Sequence, residues 1–541
     1  MKSWKEQLRD LKSALRESGR GKERGDEPRK IDFEPPSSWL AGDRSIPKNS
    51  PARNPVQQSA PSGTVGVPAG KPSARPSRPV QPAFRPRIDA GCSLVMPKWS
   101  DAGRSLQHPK HHGGRSAPMV VRIGVDFGTA FTKVAIRAGV DLVPVEWSAV
   151  TGDDSEAGRY VVPGFVVRAP NGEYCWQRLA ETNVQGNLKL PVIEMAGSDE
   201  CPIATVAYLA LVIRYARAFL YRNTEIERKL AGRSLRWELN IGCPTKPHEN
   251  PKVVDVFRRI ARTAWLLAAE DQLKEQDVVA AWNLVDCDTD LEAEPGVVPE
   301  FVAQIAGYLG SPQVREGLHA LIDIGAATLD VATFNVVLRN DRESPPRIPI
   351  FFSAVGPLGT HYLRHNRHSK LGLDLSWNDA APVESPDEFG QGNGKPLDEV
   401  VAVDEDFVGR IVRCIIRVVD GTRTNARGDP HSAAWREGLP IFVAGGGANC
   451  VLYRRAIELV QLEVRLRVEQ QPGSSRNFRL IELNPTFGNA RHFKAGDRLT
   501  VALGLTEDAE NIARVVPHRD IEPITQGTRE RVDPADLYGD R

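Results

Sequence analysis

The stretch "RIGVDFGTAFTKVAI" (residues 122–136) reads as two short strands joined by a tight bend. Before the bend, apolar residues alternate with smaller or polar ones at Ile123, Val125 and Phe127, and the alternation resumes after it. A period of two on both sides predicts a β-hairpin. The stretch therefore differs from a Walker-type phosphate loop, in which a glycine-rich bend opens a helix.

The bend carries the residue types that bind a phosphate beside a metal ion. Gly128 lets backbone N–H groups approach an anion, Thr129 offers a hydroxyl donor and Lys133 supplies a positive charge. Asp126 would repel a phosphate unless a divalent cation or its water lay between them. The bend therefore indicates metal plus phosphate, and the alternative is an ordinary tight hairpin without a ligand.

A second stretch, "DIGAATLD" (residues 323–330), repeats the pattern. Asp323 enters the bend, Gly325 and Thr328 lie within it, and Asp330 follows at the start of the next strand-like run. Two such hairpins in one chain indicate two related halves that face a single ligand.

A third glycine turn occurs in "VAGGGANC", at Gly445, Gly446 and Gly447. It follows the strand-like run "PIFVA" and precedes a helix-like segment. Glycines in this position let the backbone pass close to a flat base or a sugar, at the N-terminus of a helix.

In this order and spacing, the motifs resemble those of the actin, sugar kinase and heat-shock chaperone ATPase superfamily. The resemblance covers roughly residues 120–512. "VVPEFVAQIAGYL" and "RLTVALGLTED" resemble the two connecting helices of that superfamily, and "AVGPLGTHYL" resembles the glycine turn after its second phosphate hairpin. The alternation of strand-like and helix-like segments is by itself typical of an α/β protein.

The resemblance implies an α/β fold of duplicated ribonuclease-H-like domains that form two lobes around a nucleotide cleft, preceded by a disordered N-terminal region. The expected organisation has five parts, bounded as follows: a basic amphipathic helix at 1–18, a proline-rich basic linker at 19–118, lobe I at 119–310, lobe II at 311–512 and a flexible tail at 513–541.

It also implies roles for individual residues. Asp126 and Asp323 would hold the hydration shell of Mg²⁺, and Glu300 would position the metal or the attacking water. The phosphates of ATP would contact both hairpins, and the adenosine would lie under the third glycine turn. The residues expected at these two parts of ATP are, for the phosphates, Gly128, Thr129, Lys133, Gly325 and Thr328, and for the adenosine, Gly445, Gly446 and Gly447.

The order of the motifs is closest to the nucleotide-binding domain of seventy-kilodalton heat-shock proteins, whereas Lys133 is placed as in actin-like proteins. Ala326 and Ala327 stand where that superfamily usually has glycines, and Glu300 follows Pro299 where the usual order is Glu-Pro. A substrate-binding domain of the chaperone kind is not expected, since fewer than 30 residues follow Ile512.

The function expected from this resemblance is a slowly hydrolysing, Mg²⁺-dependent ATPase whose lobe closure controls a protein partner. Two alternatives stay open at this point. One is an actin-like protein that forms filaments, and the other is a small-molecule kinase of the sugar kinase branch, which would need a catalytic base for a substrate hydroxyl.

Charge is distributed unevenly along the chain. Residues 1–118 carry a net charge of +11 and hold 16 of the 41 prolines, whereas the remainder carries −10. Trp4, Leu8, Leu11 and Leu15 would lie on one face of a short helix. An unknown protein partner is therefore expected at residues 3–18 or at the linker, and nucleic acid is a weaker alternative because aromatic residues are sparse there.

The location expected from the sequence is the cytoplasm. The N-terminus is charged throughout and has no signal-peptide core, and no transmembrane segment is expected. Seven scattered cysteines form no CxxC motif, which argues for a reducing compartment rather than a disulfide scaffold.

Overall fold

The computed structural model describes residues 94–522. The helix predicted at 1–18, the linker up to residue 93 and the tail from residue 523 lie outside the described residues. Within the described range, the following residues are left out: 112–116, 157, 179–182, 195–197, 286–293, 339–343, 376, 378–380, 470–477 and 484–495.

The strands begin at the predicted first hairpin. In chain order, they are β1 (Met119–Phe127), β2 (Phe131–Ala138), β3 (Asp141–Pro144), β4 (Val162–Pro163), β5 (Phe165–Arg168), β6 (Tyr174–Cys175), β7 (Asn183–Gly186), β8 (Leu235–Cys243), β9 (Pro295–Pro299), β10 (Gly317–Ile324), β11 (Leu329–Val336), β12 (Arg347–Gly356), β13 (Leu439–Ala444), β14 (Leu480–Glu482) and β15 (Arg514–Val516).

Helices connect these strands. They are α1 (Ser148–Thr151), α2 (Leu190–Glu194), α3 (Ile203–Tyr221), α4 (Glu227–Ala231), α5 (Thr245–His248), α6 (Pro251–Leu267), α7 (Glu275–Leu284), α8 (Glu300–Leu309), α9 (Thr360–Lys370), α10 (Pro386–Asn393), α11 (Leu397–Thr424), α12 (Ala434–Glu437), α13 (Val451–Glu469), α14 (Gly496–Gly504) and α15 (Ala509–Ile512).

Two sheets share one strand order. The first runs β3-β2-β1-β8-β9, and the second runs β12-β11-β10-β13-β14, with β15 added beyond β12. In the first sheet, β1 is antiparallel to β2 and parallel to β8; in the second, β10 is antiparallel to β11 and parallel to β13. The outer strand pairs match as well: β2–β3 and β11–β12 are antiparallel, whereas β8–β9 and β13–β14 are parallel. The mixed α/β class is confirmed, and the chain contains two copies of one arrangement.

Within the part of the chain that the structure describes, α3 is the one helix that is a candidate membrane span by length and composition. Its length and composition would allow it to cross a bilayer, but 83% of its most apolar window is buried inside the protein. It packs against α6 and against the segment that precedes β1. This is the environment of a core helix, whose apolar residues face protein on all sides.

Two helices, α8 and α14, pack against each other and against strands of the first sheet. Helix α8 leads from β9 to β10, and α14 packs against α8, β1 and β2. A side chain at Gly504 would overlap the backbone carbonyl of Ala303, and one at Gly124 would overlap that of Ala502. These glycines therefore allow the two helices and β1 to approach backbone to backbone.

The predicted linker boundary at residue 118 is wrong for residues 94–111. A 3-10 helix at Lys98–Arg104 lies against α3, where Gly103 leaves no room for a side chain. Gln107 exchanges two hydrogen bonds with the backbone of Leu235, of 2.8 and 3.0 Å. This segment is ordered because it covers an apolar surface of α3 and because it provides hydrogen-bond partners for the backbone at the start of β8.

The predicted tail boundary at residue 513 is also wrong. Residues Arg514–Val516 form β15, which pairs in parallel with the start of β12. Sequence composition did not reveal this strand because it is only three residues long. Its role is to satisfy the backbone groups at an edge of the second sheet.

Candidate functional site

The site is built where strands of both sheets end. Asp126 is the penultimate residue of β1, and Asp323 is the penultimate residue of β10. Glu300 follows β9 as the first residue of α8, and Gly445 follows β13. Because β1, β8 and β9 are parallel to one another, as are β10 and β13, these residues lie at the carboxyl edges of their sheets. Open α/β sheets bind ligands at that edge.

One cleft of about 1110 Å³, measured with its open mouth, contains these residues. The predicted site residues that line it are Asp126, Gly128, Thr129, Lys133, Glu300, Asp323, Gly325, Thr328, Gly445 and Gly446.

Gly447 is different from the other predicted residues because it does not line the cleft. Its N–H donates to the Ile324 carbonyl at 2.9 Å, and a side chain at Gly447 would overlap that of Ile324. The third glycine of the turn is therefore required for packing against the end of β10. Sequence reasoning could not separate this role from ligand contact.

In the first hairpin, the acid and the lysine neutralise each other. Asp126 and Lys133 are register partners on β1 and β2, and the Lys133 ammonium donates to the Asp126 carboxylate at 2.7 Å. Both side chains are largely buried, so water screens the pair only weakly. Lys133 was expected to contact a phosphate; in this structure it holds the acid at the cleft wall.

In the second hairpin, two acids occupy the same register positions. Asp323 lies opposite Asp330, and both line the cleft. Burial, followed by the nearby Asp330 and Glu300 carboxylates, raises the pKa of Asp323 to about 7. Burial also raises the pKa of Asp330 to about 7, although the Thr328 hydroxyl, which donates to Asp330 at 2.8 Å, opposes this shift.

A further ion pair in the cleft joins Lys189 to Glu300. Burial raises the pKa of Glu300, with Asp126 adding to the effect and Lys189 opposing it. Burial alone would lower the pKa of Lys189, but the Glu300 carboxylate holds it above its ordinary value. Sequence analysis did not identify Lys189; the only signal was a single lysine in the apolar run "NLKLP".

The hairpin loops present backbone donors to the cleft. Among the described residues, no backbone carbonyl accepts from the N–H groups of Thr129, Ala130, Ala326 or Ala327. Free amide groups beside a glycine form a concave site for an anion. The side chains of Ala130 and Ala327 share one small apolar cluster, so the two loops are held close together.

Helix α9 braces only the second of these loops. The N–H groups of Gly359, Thr360 and His361 donate to the loop carbonyls at 2.8–3.1 Å. A side chain at Gly359 would overlap the carbonyl of Ala326. The N-terminal amides of α9 are therefore used to fix the loop, and the loop's own amides remain available to a ligand.

Donor groups in the cleft fit a hydrated divalent cation. Two buried oxygen atoms, Oδ1 of Asp330 and Oε1 of Gln304, have no hydrogen-bond partner among the described residues, and both residues line the cleft. Four carboxylates line the cleft, those of Asp126, Glu300, Asp323 and Asp330, and a cation would relieve the repulsion among them. In the described part of the chain, no three His, Cys, Asp or Glu residues are grouped for direct metal coordination.

Comparisons with known proteins add little to this picture. No family model and no curated protein matches the chain. The structure is similar to that of the ethanolamine utilization protein EutJ from Carboxydothermus hydrogenoformans, with a TM-score of 0.32 and 14% identity over 75% of this chain and 94% of that one.

It is also similar to MreB5 of Spiroplasma citri, a structure solved with ADP bound, with a TM-score of 0.35 and 12% identity over 72% of this chain and 95% of that one. Likeness at this level does not assign a function to the chain. The case for a ligand therefore rests on the strand order and on the cleft.

Proposed function

We propose that this protein is an ATP-binding molecular switch of the actin-like and heat-shock ATPase kind, with slow Mg²⁺-dependent hydrolysis. The observation that carries the proposal is one cleft lined by equivalent hairpins from two copies of the same fold. Acids, lysines, free loop amides and a glycine turn all face it. A phosphorylated ligand bound with a cation would match all of these groups together.

The phosphates would lie between the two loops. The amides of residues 129, 130, 326 and 327 would donate to phosphate oxygens, with the Thr129 hydroxyl beside them. Lys133 and Lys189 also line the cleft and place positive charge near the phosphates, although each is paired with an acid, Asp126 and Glu300 respectively. Negative ligand charge would be tolerated because these cations lie close by in a partly water-excluded space.

Asp126 and Asp323 would hold Mg²⁺ through its water molecules, and Asp330 and Gln304 offer further acceptors. Bound there, the cation would neutralise charge on the phosphates. The residues of the chain would contribute mainly by positioning. Lys189 fixes the Glu300 carboxylate at the start of α8, where Glu300 would accept a hydrogen bond from the attacking water. Hydrolysis would be accelerated mainly by positioning and charge neutralisation, so slow turnover is expected.

Switching would follow from the shared cleft. A ligand that contacts both hairpins binds best when the lobes are closed on it, and it shifts their equilibrium by its difference in affinity between the open and closed states. Motion would concentrate where α8 and α14 join the lobes. A protein partner would read this change; the expected partner and the cytoplasmic location remain predictions.

The test measures Mg²⁺-ATP binding by calorimetry and phosphate release for wild type, Asp126→Ala and Lys133→Ala. Each substitution breaks a charged hydrogen bond, so we expect affinity to fall by roughly tenfold to a hundredfold. Binding by the wild type should also need Mg²⁺. The matched control is Lys229→Ala, which removes an exposed lysine from another Lys–Asp pair, outside the cleft.

Unchanged affinity in both cleft variants, with circular dichroism showing an intact fold, would overturn the site assignment. Sedimentation with and without ATP provides a second check. An ATP-dependent pellet would favour a filament instead of a switch as the main function. ATP consumption that depends on an added sugar or glycerol would favour a kinase.

A further inference from the structure

Three aromatic rings line a groove on lobe I, beside the end of α3. Tyr215 is buried at its base, and the partly buried Trp99 and Phe219 flank it, with ring centroids 5.1 and 6.3 Å from that of Tyr215. Ser148 and Ala149 of α1 also line it. This aromatic groove has a volume of about 670 Å³, measured with its open mouth, and shares no lining residue with the cleft.

Hydrogen bonds and ring contacts hold these rings in place. The Tyr215 hydroxyl donates to the Glu146 carbonyl at 2.8 Å, and the Tyr215 ring stacks on Trp147 with a centroid separation of 4.6 Å. The Arg222 guanidinium lies 4.8 Å from the Trp99 ring centroid. Trp99 belongs to the 3-10 helix that packs on α3, so the groove exists only because that segment is ordered. A surface that is already ordered binds a ligand without the entropic cost of fixing its side chains.

One side of the aromatic groove is acidic. Glu146 lines it with a carboxylate that is 43% exposed, and Arg159 lies 3.8 Å from that carboxylate. The loop that follows α1 adds three exposed acids within residues 153–156. Arg222 also lines the groove, but its guanidinium lies over the Trp99 ring. The charge pattern therefore favours a basic ligand that also offers apolar surface.

A segment of this chain has the matching chemistry. Residues 71–88, "KPSARPSRPVQPAFRPRI", which precede the described residues, contain five Lys or Arg and no Asp or Glu. Pro76, Pro79 and Pro82 recur every three residues, and no other stretch of residues 1–93 spaces three prolines in this way. A polyproline II helix has three residues per turn, so in that conformation these prolines would share one face, and the arginines that precede two of them would share the next.

The chain enters the described structure next to the aromatic groove. Leu94 is buried in the core of lobe I, and the Val95 N–H donates to the Val150 carbonyl of α1 at 3.2 Å. Pro82 precedes Leu94 by 12 residues, which span up to about 40 Å when extended. A tether of this length lets residues 71–88 return to the groove, at an effective concentration on the order of 1 mM.

We propose that the aromatic groove binds residues 71–88 of the same chain in the polyproline II conformation. The prolines pack on the rings of Trp99 and Phe219, and the arginines face Glu146 and the acids of residues 153–156. Grooves lined by aromatic rings bind proline-rich segments because the polyproline II helix is preformed and loses little entropy on binding. The opposite charges fix the direction in which the segment lies. The contact holds the basic N-terminal region on lobe I, outside the cleft.

The test uses a fluorescent peptide of residues 71–88 and the full chain, with binding followed by fluorescence anisotropy. In the wild type, the chain's own segment competes with the peptide. Pro79→Gly together with Pro82→Gly weakens that competitor and leaves residues 94–522 unchanged. We expect this double variant to bind the peptide roughly tenfold more tightly than the wild type does. A control peptide of the same composition, with its prolines moved off the three-residue spacing, should bind about tenfold more weakly.

A substitution in the aromatic groove tests where the peptide binds. Ala149→Arg, made in the double variant, fills the groove with a long side chain and repels a basic peptide. Because Ala149 is exposed, we expect the fold to be retained and peptide affinity to fall by about tenfold or more. Ala280→Arg on α7 is the matched control, since Ala280 is also an exposed helical alanine and does not line the groove. Circular dichroism of both variants checks the fold.

Tight binding by the double variant that is lost in Ala149→Arg and retained in Ala280→Arg supports the proposal. The proposal is overturned if the double variant does not bind the peptide, or if Ala149→Arg leaves the affinity unchanged. Equal affinity in the wild type and the double variant would also overturn it, because the chain's own segment would then not occupy the groove. A wild type that sediments as a dimer, beside a monomeric double variant, would place the segment on a second copy instead of its own chain.

Discussion

The first and second hairpins have the same strand arrangement, but the residue opposite the aspartate carries the opposite charge. Each places an aspartate at the end of a central strand, a glycine two residues later and a register partner seven residues after the acid. In the first hairpin that partner is Lys133, and in the second it is Asp330. Similar backbones thus produce a neutralised pair on one side of the cleft and two crowded carboxylates on the other.

The difference shows how a duplicated fold becomes an asymmetric site. The Asp126–Lys133 pair balances its own charge, so this hairpin gains less from an additional cation. The pair of acids in the second hairpin does not, and the pKa values of both are raised to about 7. We infer that the second hairpin is the side of the cleft that gains more from a bound cation.

The largest expected effect comes from Asp330→Asn, which removes the second acid. A carboxyl whose pKa is raised by folding stabilises the protein below its ordinary pKa of 3.8, and that stability is lost as the pH rises to about 7. The Asp330→Asn variant has no titrating carboxyl at this position, so it does not lose this stability as the pH rises. Above neutral pH and without divalent cations, we expect it to be more stable than the wild type by on the order of 3 kcal/mol.

Thermal unfolding at about pH 4 and about pH 8 measures this effect, which should be absent at the lower pH. Asp141→Asn on β3 is the control, since that acid is paired with Lys229 on the surface. An equal stability difference at both pH values would show that folding does not raise the pKa of the Asp330 carboxyl.

The two hairpin glycines should differ in the second-largest effect. A Cβ on Gly128 would overlap the carbonyl of Phe131, whereas one on Gly325 would lie 3.2 Å from the carbonyl of Thr328. Gly128→Ala must therefore displace backbone, and we expect it to lower the free energy of unfolding by about 1–3 kcal/mol. Gly325→Ala should cost less than about 1 kcal/mol, since its neighbour needs to move only slightly.

Urea denaturation of both variants gives the two values, with the slope of the transition checked for constancy. Equal costs would mean that the loops are interchangeable. A larger cost for Gly325→Ala would reverse the comparison, and would point to the bracing by α9 as the tighter constraint.

The smallest expected effect concerns one hydroxyl. Thr129 follows the glycine of the first loop, and Ala326 stands at the same place in the second. If the Thr129 hydroxyl donates to a phosphate, Thr129→Ala should weaken Mg²⁺-ATP by roughly twofold to tenfold, the size of one neutral hydrogen bond. Ala326→Ser tests the reciprocal change, and calorimetry measures both. Unchanged affinity for Thr129→Ala would remove this residue from the phosphate contacts.

Much of the fold could be predicted because its signals are local. The period of two around Asp126 and around Asp323, and the glycine after each acid, indicated both hairpins. The repeated motif indicated a duplication, and the strand order shows one. The boundaries at residues 118 and 513 were wrong because composition cannot show that Gln107 bonds to the start of β8 or that a three-residue strand pairs with β12.

Site prediction was less complete, because ion pairs do not follow sequence distance. Asp126 and Lys133 lie on adjacent strands of one hairpin, so the sequence placed both beside the same bend without showing that they pair. Lys189 reaches Glu300 across 111 residues of chain, and a single lysine in an apolar run does not identify its partner.

What the sequence determined by itself was the chemistry of each turn: acid, glycine and donor, repeated twice, with a third glycine turn after a strand. Only the tertiary structure decided how these groups are used. It paired Lys133 with Asp126, turned the Thr328 hydroxyl to Asp330, and assigned Gly447 to packing while leaving Gly446 open. The reason is that periodicity and turn propensity act over a few residues, whereas charge pairing and close approach depend on which distant strands meet at one edge.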